Sequence, residues 1–106
     1  MARQTVNLDE INLDDLPQRK SVYAIFAQSK ETGKPINCRY VGETNNLQEG
    51  TKAHFRENEQ NECLKEFMQS SKTKMMIYEL LPDSDKKERL LKQDEWIKEY
   101  NPKCND

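Results

Sequence analysis

The sequence predicts an α+β domain, a small three-stranded antiparallel sheet flanked by helices, in the order β-β-α-α-β-α. Three runs rich in β-branched and aromatic residues predict the strands, at residues 21–27, 38–42 and 74–81. Gly33 and Pro35 mark a loop between the first two runs, so we expect those strands to pair as a hairpin. Both faces of the first strand are fairly apolar, which indicates a central strand covered on two sides.

Helical signals lie between and after these strands. Thr44 or Asn45 can cap a first helix that continues to about residue 56, and a second helix is expected over residues 61–70. A third helix is expected up to about residue 100, because Pro102 disfavours helical backbone at the residue before it. The three helices supply the apolar faces that cover the sheet.

The first nineteen residues are expected to form an N-terminal arm, and residues 20–106 the domain. Apolar side chains are interspersed with acids along the arm, and Pro17 ends the segment. We expect the arm to lie over the domain, with Leu13 and Leu16 as its anchors. The sequence contains no internal repeat and no low-complexity tract that would indicate a second domain.

Composition narrows the possible classes of protein. The formal charge of the 106 residues is −2, so any binding of nucleic acid requires a local basic patch. The sequence has no apolar run of membrane-spanning length and no signal-peptide core, so we expect a cytoplasmic protein with no membrane partner. Cys38, Cys63 and Cys104 are odd in number and widely spaced, which predicts reduced thiols rather than a zinc site or a disulfide framework.

Two residues conflict with the helices that contain them. Gly50 lies in the middle of the predicted first helix, where glycine costs about 1 kcal/mol relative to alanine. Gln93 shares a helix face with Leu90 and Ile97, so a polar amide lies on the predicted packing stripe. A buried amide needs hydrogen-bond partners, since an unpaired one costs roughly 1–3 kcal/mol. The alternative is that Gln93 lies at the edge of the stripe and reaches solvent.

Two tripeptides and a C-terminal segment give the chain a resemblance to a known family. The tripeptide SVY at residues 21–23 lies in the first strand, and YVG at residues 40–42 ends the second. The segment EWIKEYNPKCN follows near the C-terminus. In this order and spacing, the three motifs resemble the GIY-YIG nuclease domain over residues 21–105.

The resemblance implies roles for individual residues. Tyr23 and Tyr40 match the two motif tyrosines that line the family's site, where a tyrosine helps to activate the attacking water. His54 matches a histidine often found one turn beyond the family's arginine, and Asn105 matches the asparagine of its C-terminal tail. Phosphodiester hydrolysis also needs neutralised phosphate oxygens and a metal near the leaving oxygen.

The two positions that carry charge in the family differ in this sequence. The arginine of the family's first helix falls on Gly50, and the metal-binding glutamate of its last helix falls on Gln93. Glycine supplies no cation, and hard divalent cations favour carboxylates over amides. Loss of one such electrostatic group commonly costs about a hundredfold in rate. The resemblance therefore implies impaired or absent phosphodiesterase activity and no resident metal, and Mg²⁺ or Mn²⁺ is the cofactor expected of an active form.

Three interpretations of Gly50 stay open. In the first, glycine is tolerated because the chain no longer needs the function of the side chain that it replaced. In the second, the glycine opens room over the tyrosines for a ligand or partner chain. Alternatively, the helix begins near Thr51 and Gly50 belongs to its entry loop. No nearby residue is a convincing replacement for the missing charges, and Glu43 with His54 is the least unsuitable pair.

We expect a nucleic-acid-associated binding module that binds DNA or structured nucleic acid weakly. The candidate nucleic-acid-binding residues are Lys52 and Arg56 on the first helix, with Lys72 and Lys74 further on, although acids lie among them. One alternative is an active divalent-metal-dependent DNA endonuclease with a rearranged site. Another is a protein-interaction or regulatory module that uses the sheet face or the N-terminal arm.

Overall fold

The computed structural model describes residues 2–56 and 59–105. Its four strands are β1 (Gln4–Leu8), β2 (Ser21–Gln28), β3 (Pro35–Thr44) and β4 (Lys74–Leu80). They form one antiparallel sheet in the order β1-β4-β2-β3. The predicted α+β class and the predicted pairing of β2 with β3 are confirmed.

The sheet has four strands rather than three because the first residues of the chain pair with β4. In β1, Thr5 lies opposite Ile77 and Leu8 lies opposite Lys74. A short 3₁₀ helix (Glu10–Asp15) follows β1. Leu8 is buried in the core. Leu13 and Leu16 are also buried there, as the sequence predicts, so the N-terminal segment contributes both a strand and core side chains.

In the part of the chain that the structure describes, three helices cover the sheet: α1 (Leu47–His54), α2 (Glu62–Met68) and α3 (Lys86–Tyr100). Each begins after a polar side chain that accepts a hydrogen bond from a backbone N–H of the first turn. The three N-caps are Asn46, Asn61 and Asp85. The cap of α1 therefore lies one or two residues later than predicted. No helix of the described residues is both long and apolar enough to cross a membrane.

The central strand β2 separates two hydrophobic cores. Tyr23 and Ile25 pack with α1, α2 and the N-terminal leucines on one side of the sheet. Val22 and Ala24 pack against Trp96 of α3 on the other side. The alternation of side chains along a strand produces this division, and it confirms the prediction that β2 is covered on both faces.

Helix α3 docks on the sheet through a stripe that agrees with the predicted one at Ile97 and Tyr100 and differs at Leu90. Arg89 and Trp96 are buried, whereas Leu90 is 41% exposed and Leu91 is 59% exposed. The prediction of Leu90 as a packing residue is wrong, because the Arg89 side chain occupies that part of the interface and pairs with Glu43 of β3. The docking face thus includes Arg89 and Trp96 in addition to the predicted Ile97 and Tyr100.

A disulfide joins Cys63 to Cys104, so the expectation of three reduced thiols is wrong. The C-terminal segment runs back along β3: the N–H of Lys103 donates to the carbonyl of Cys38, and the N–H of Cys104 donates to that of Arg39. This path brings Cys104 to the first turn of α2, with a Cα–Cα distance of 5.4 Å to Cys63. Cys38 stays a free thiol, and burial raises its pKa to about 12.

Candidate functional site

The two tyrosines of the SVY and YVG motifs lie side by side on the α1 side of the sheet. Tyr23 pairs with Gly42 and Ile25 pairs with Tyr40, which places both rings on one face, with centroids 6.2 Å apart. A Cβ at Gly42 would lie 2.7 Å from the Tyr23 hydroxyl and 2.8 Å from Cε2 of Tyr40. Glycine is therefore required at this position, because any side chain would displace the two rings.

His54 joins the tyrosines from the last turn of α1. Its Nε2 lies 2.6 Å from the Tyr23 hydroxyl, and its Nδ1 lies 2.8 Å from Oε2 of Glu59. An ionised carboxylate only accepts hydrogen bonds, so Nδ1 carries the proton, and Nε2 of the neutral ring accepts from Tyr23. The His54 ring also lies against Tyr40, with centroids 5.2 Å apart.

Glu59 is the site residue that sequence reasoning missed. It lies in the loop between α1 and α2, five residues beyond His54, where several acids occur together. No pattern in the sequence separates it from its neighbours, because only its contact with the histidine distinguishes it. The Glu59 side chain is largely buried, unlike that of a solvated surface acid.

Both phenols are neutral at physiological pH. Burial raises the pKa of Tyr23 well above its usual value, and the nearby Tyr40, Glu59 and Glu43 raise it further. Burial also raises the pKa of Tyr40, with Glu59 and Glu43 acting in the same direction. Tyr40 can therefore donate a hydrogen bond to a ligand. Tyr23 donates its one proton to His54 and can give that proton up only to a base such as this histidine.

Gly50 lies within α1, so the interpretation that the helix begins near Thr51 is wrong. A Cβ at Gly50 would lie 2.8 Å from Oγ1 and 3.2 Å from Cβ of Thr44. The Thr44 hydroxyl is fixed, because it accepts from the N–H of Asn46 and donates to the Asn46 carbonyl. The glycine thus lets α1 approach the end of β3, a reason that sequence reasoning did not consider.

The acidic and amide groups near α3 do not make a metal site. Gln93 is half-buried and makes no hydrogen bond to another described residue. Glu43 accepts a hydrogen bond of 2.9 Å from Nε of the buried Arg89, and Nζ of Lys86 lies 4.0 Å from it. Within residues 2–56 and 59–105, no three His, Cys, Asp or Glu side chains are grouped to hold a metal ion. This donor set does not fit a resident Mg²⁺ or Mn²⁺ ion.

Asn105 fixes the strand between the two motif positions. The N–H of Val41 donates to its Oδ1, and its Nδ2 donates to the Val41 carbonyl, both at 2.7 Å. The neighbouring Cys104 is tied to α2 by the disulfide. Asn105 therefore holds the backbone that positions Tyr40 and Gly42.

The two predicted nucleic-acid-binding residues of α1 are engaged in ion pairs. Lys52 contacts Asp14 of the 3₁₀ helix, and Arg56 lies 3.8 Å from Glu49. Their part in binding stays a prediction, with less positive charge available than the sequence suggests.

The fold is similar to that of a known endonuclease domain. Among the solved structures that match are two crystal structures of point mutants of the GIY-YIG N-terminal endonuclease domain of UvrC from Thermotoga maritima, each bound to a catalytic divalent cation. They share 18% and 17% sequence identity with this chain, at TM-scores of 0.61 and 0.58. Each comparison covers 93% of this chain and 99% of the other. No family model and no curated protein matches the sequence. The chain therefore has a GIY-YIG-like fold, as the resemblance implies.

Proposed function

We propose that this chain is a nucleic-acid-associated binding module on the GIY-YIG fold, with impaired or absent phosphodiesterase activity. The observation that carries the proposal is at Gly50, where Thr44 fills the space that a longer side chain would need. No cationic side chain can project from position 50 unless Thr44 is displaced. The similar structures are endonuclease domains, which supports nucleic acid as the partner class.

The chemistry of phosphodiester hydrolysis supports this proposal. Negative charge develops on the equatorial and leaving oxygens, and a cation must neutralise it. The guanidinium of Arg89 is already paired with Glu43, and Gln93 brings an uncharged amide. Since removal of one electrostatic group commonly costs about a hundredfold, a chain that lacks two of them should bind a strand far better than it cuts.

One observation favours a second candidate, an active endonuclease with a rearranged site. In the hydrogen-bonded row Tyr23–His54–Glu59, Tyr23 can pass its proton to Nε2 of His54, and Glu59 then stabilises the imidazolium. General base catalysis of this kind contributes about 10²–10⁴-fold, but it neutralises no negative charge on the phosphate and so does not take the place of the two missing electrostatic groups. Hydrolysis by this candidate would depend on added Mg²⁺ or Mn²⁺.

Paired binding and cleavage measurements distinguish these candidates. Fluorescence anisotropy of a labelled DNA duplex in EDTA measures binding, and plasmid nicking in Mg²⁺ or Mn²⁺ measures hydrolysis. The proposal expects salt-sensitive binding and no nicking above that of Tyr23→Phe. Metal-dependent nicking that disappears in Tyr23→Phe identifies the second candidate. A chain that neither binds nor nicks contradicts the proposal and favours a protein-interaction module.

A further inference from the structure

An irregularity in β3 changes the direction of one cationic side chain. Tyr40 pairs with Ile25, but the next pair joins Cys38 to Phe26, so Arg39 has no partner in the ladder. This is a β-bulge, in which two residues of one strand oppose one residue of the other.

The bulge places Arg39 on the same face of the sheet as Tyr40. The Arg39 guanidinium lies 4.9 Å from the ring centroid of Phe67 in α2, on the α1 side. Its neighbours Cys38 and Val41 instead pack into the core beneath α3. In a regular strand, Arg39 and Tyr40 would point to opposite faces, so the bulge puts Arg39 on the face of the sheet that carries the tyrosine site.

Exposed lysines surround Arg39 on both sides. Arg39, Lys72 and Lys103 line a groove beside α2, which also contains Glu66. Arg39 and Lys72 also line a second depression together with Lys30 of the β2–β3 loop. We call the surface formed by Lys30, Arg39, Lys72 and Lys103 the basic groove.

The cations of the basic groove lack the acidic partners that neutralise other cations of this chain. Within the described ranges, none of the four lies in an ion pair, and Nε of Arg39 is buried without a hydrogen bond. Lys52, Arg56 and Arg89 are all paired with acids. Four unpaired cations held together repel one another, and a ligand with several regularly spaced negative charges removes that repulsion.

Hydrogen bonds hold the backbone beneath the basic groove in place, while the ammonium groups of Lys30, Lys72 and Lys103 form no ion pair in the described ranges. Nζ of Lys74 donates to the carbonyls of Ser70 and Lys72, which fixes the loop that carries Lys72. The N–H of Lys103 donates to the carbonyl of Cys38, next to the bulge. A surface arranged before binding loses less conformational entropy when a ligand docks.

We propose that the basic groove binds the phosphate backbone of a nucleic-acid strand whose continuation reaches Tyr40. The inference rests on the proposed function and assigns its binding surface. Arg39 and Tyr40 are neighbours in β3 on one face of the sheet, so a strand that contacts the lysines can continue along that face toward the tyrosines. The α1 residues Lys52 and Arg56 are then secondary contributors.

Charge reversal on the groove tests the assignment. In the double variant Lys72→Glu/Lys103→Glu, we expect the Kd for a labelled DNA duplex in EDTA to rise at least about tenfold at low salt, since two phosphate contacts are lost. The slope of log affinity against log salt should become shallower by about 2, at roughly 0.9 per contact. The control Lys87→Glu/Lys98→Glu changes the net charge equally at two exposed positions on α3, and its Kd should change less than about threefold.

The outcomes separate this inference from the proposed function. If the wild-type chain binds and both double variants weaken it equally, net charge explains the effect and the basic groove is not the binding surface. If the wild-type chain does not bind, the proposed function fails together with the assignment. Thermal unfolding verifies that each variant folds. If Lys72→Glu/Lys103→Glu does not fold, Lys72→Gln/Lys103→Gln is measured in its place. A slope of log affinity against log salt equal to that of the wild-type chain then overturns the inference.

Discussion

Gly50 and Thr44 are packed so closely that a single added methyl group should change the free energy of unfolding. We expect Gly50→Ala to lower the free energy of unfolding by about 1–3 kcal/mol, as overpacking commonly does, because its Cβ would lie 2.8 Å from Oγ1 of Thr44. Helix propensity alone predicts a gain of about 1 kcal/mol. In a Thr44→Ala background the cost should shrink, which a double-mutant cycle in urea measures. Stabilisation of the wild-type background by Gly50→Ala would contradict the packing explanation.

The buried phenol of Tyr23 should make the fold sensitive to alkali. Burial raises the pKa of Tyr23, so above about pH 10 the unfolded chain loses this phenol proton while the folded chain keeps it. The stability that is present below pH 10 is then lost as the pH rises further, by about 1.4 kcal/mol per pH unit for each such phenol. Urea unfolding between neutral and alkaline pH should show a shallower decline for Tyr23→Phe. Equal slopes for both proteins would contradict this assignment.

The disulfide links two elements, the first turn of α2 and the C-terminal segment that holds β3. It closes a loop of 41 residues, for which the chain-entropy model gives about 4 kcal/mol of stabilisation. We expect Cys63→Ser/Cys104→Ser to lower the free energy of unfolding by up to that amount. Reductant should destabilise the wild-type chain similarly and leave the double variant unchanged. Three free thiols in the unreduced, unfolded protein would show that the bond does not form.

The N-terminal segment behaves structurally as part of the sheet. It supplies β1 and buries Leu8, Leu13 and Leu16, and burial of one leucine contributes about 1.5–3 kcal/mol. That sum is comparable to the roughly 5–15 kcal/mol that stabilises a whole domain. We therefore expect a chain of residues 20–106 to lose cooperative thermal unfolding, followed by circular dichroism. An unchanged melting temperature would instead support the boundary near residue 20 that the sequence suggests.

The sequence was sufficient to predict those elements in which local signals and burial agree. The apolar runs locate β2 and β4, and the spacing of the SVY and YVG motifs brings Tyr23 and Tyr40 together. It was insufficient to predict contacts between segments that lie far apart in the sequence. The polar strand β1 acquires its pairing from β4, and the disulfide depends on the path of the tail. Glu59 reaches His54 only through the shape of a loop. Each of these depends on tertiary proximity, which neither propensity nor periodicity encodes.

Over the whole molecule, the charges are distributed unevenly. The net charge is −2, yet the basic groove collects four cations around Arg39, while Arg89 of α3 is paired with Glu43. On the proposed function, Tyr23, Tyr40 and His54 can contact a strand, whereas Gly50 and Gln93 supply none of the charge that would stabilise a phosphodiesterase transition state. Binding and hydrolysis should therefore be separable properties of this chain.

Restoring the two charges tests this claim most directly. Plasmid nicking in Mg²⁺ or Mn²⁺ is compared between the unmodified chain and Thr44→Ala/Gly50→Arg/Gln93→Glu, in which the first change makes room for the arginine. Thr44→Ala alone is the control. We expect no nicking by the unmodified chain or the control, and metal-dependent nicking by the triple variant. Nicking by the unmodified chain that the triple variant does not increase would contradict the account.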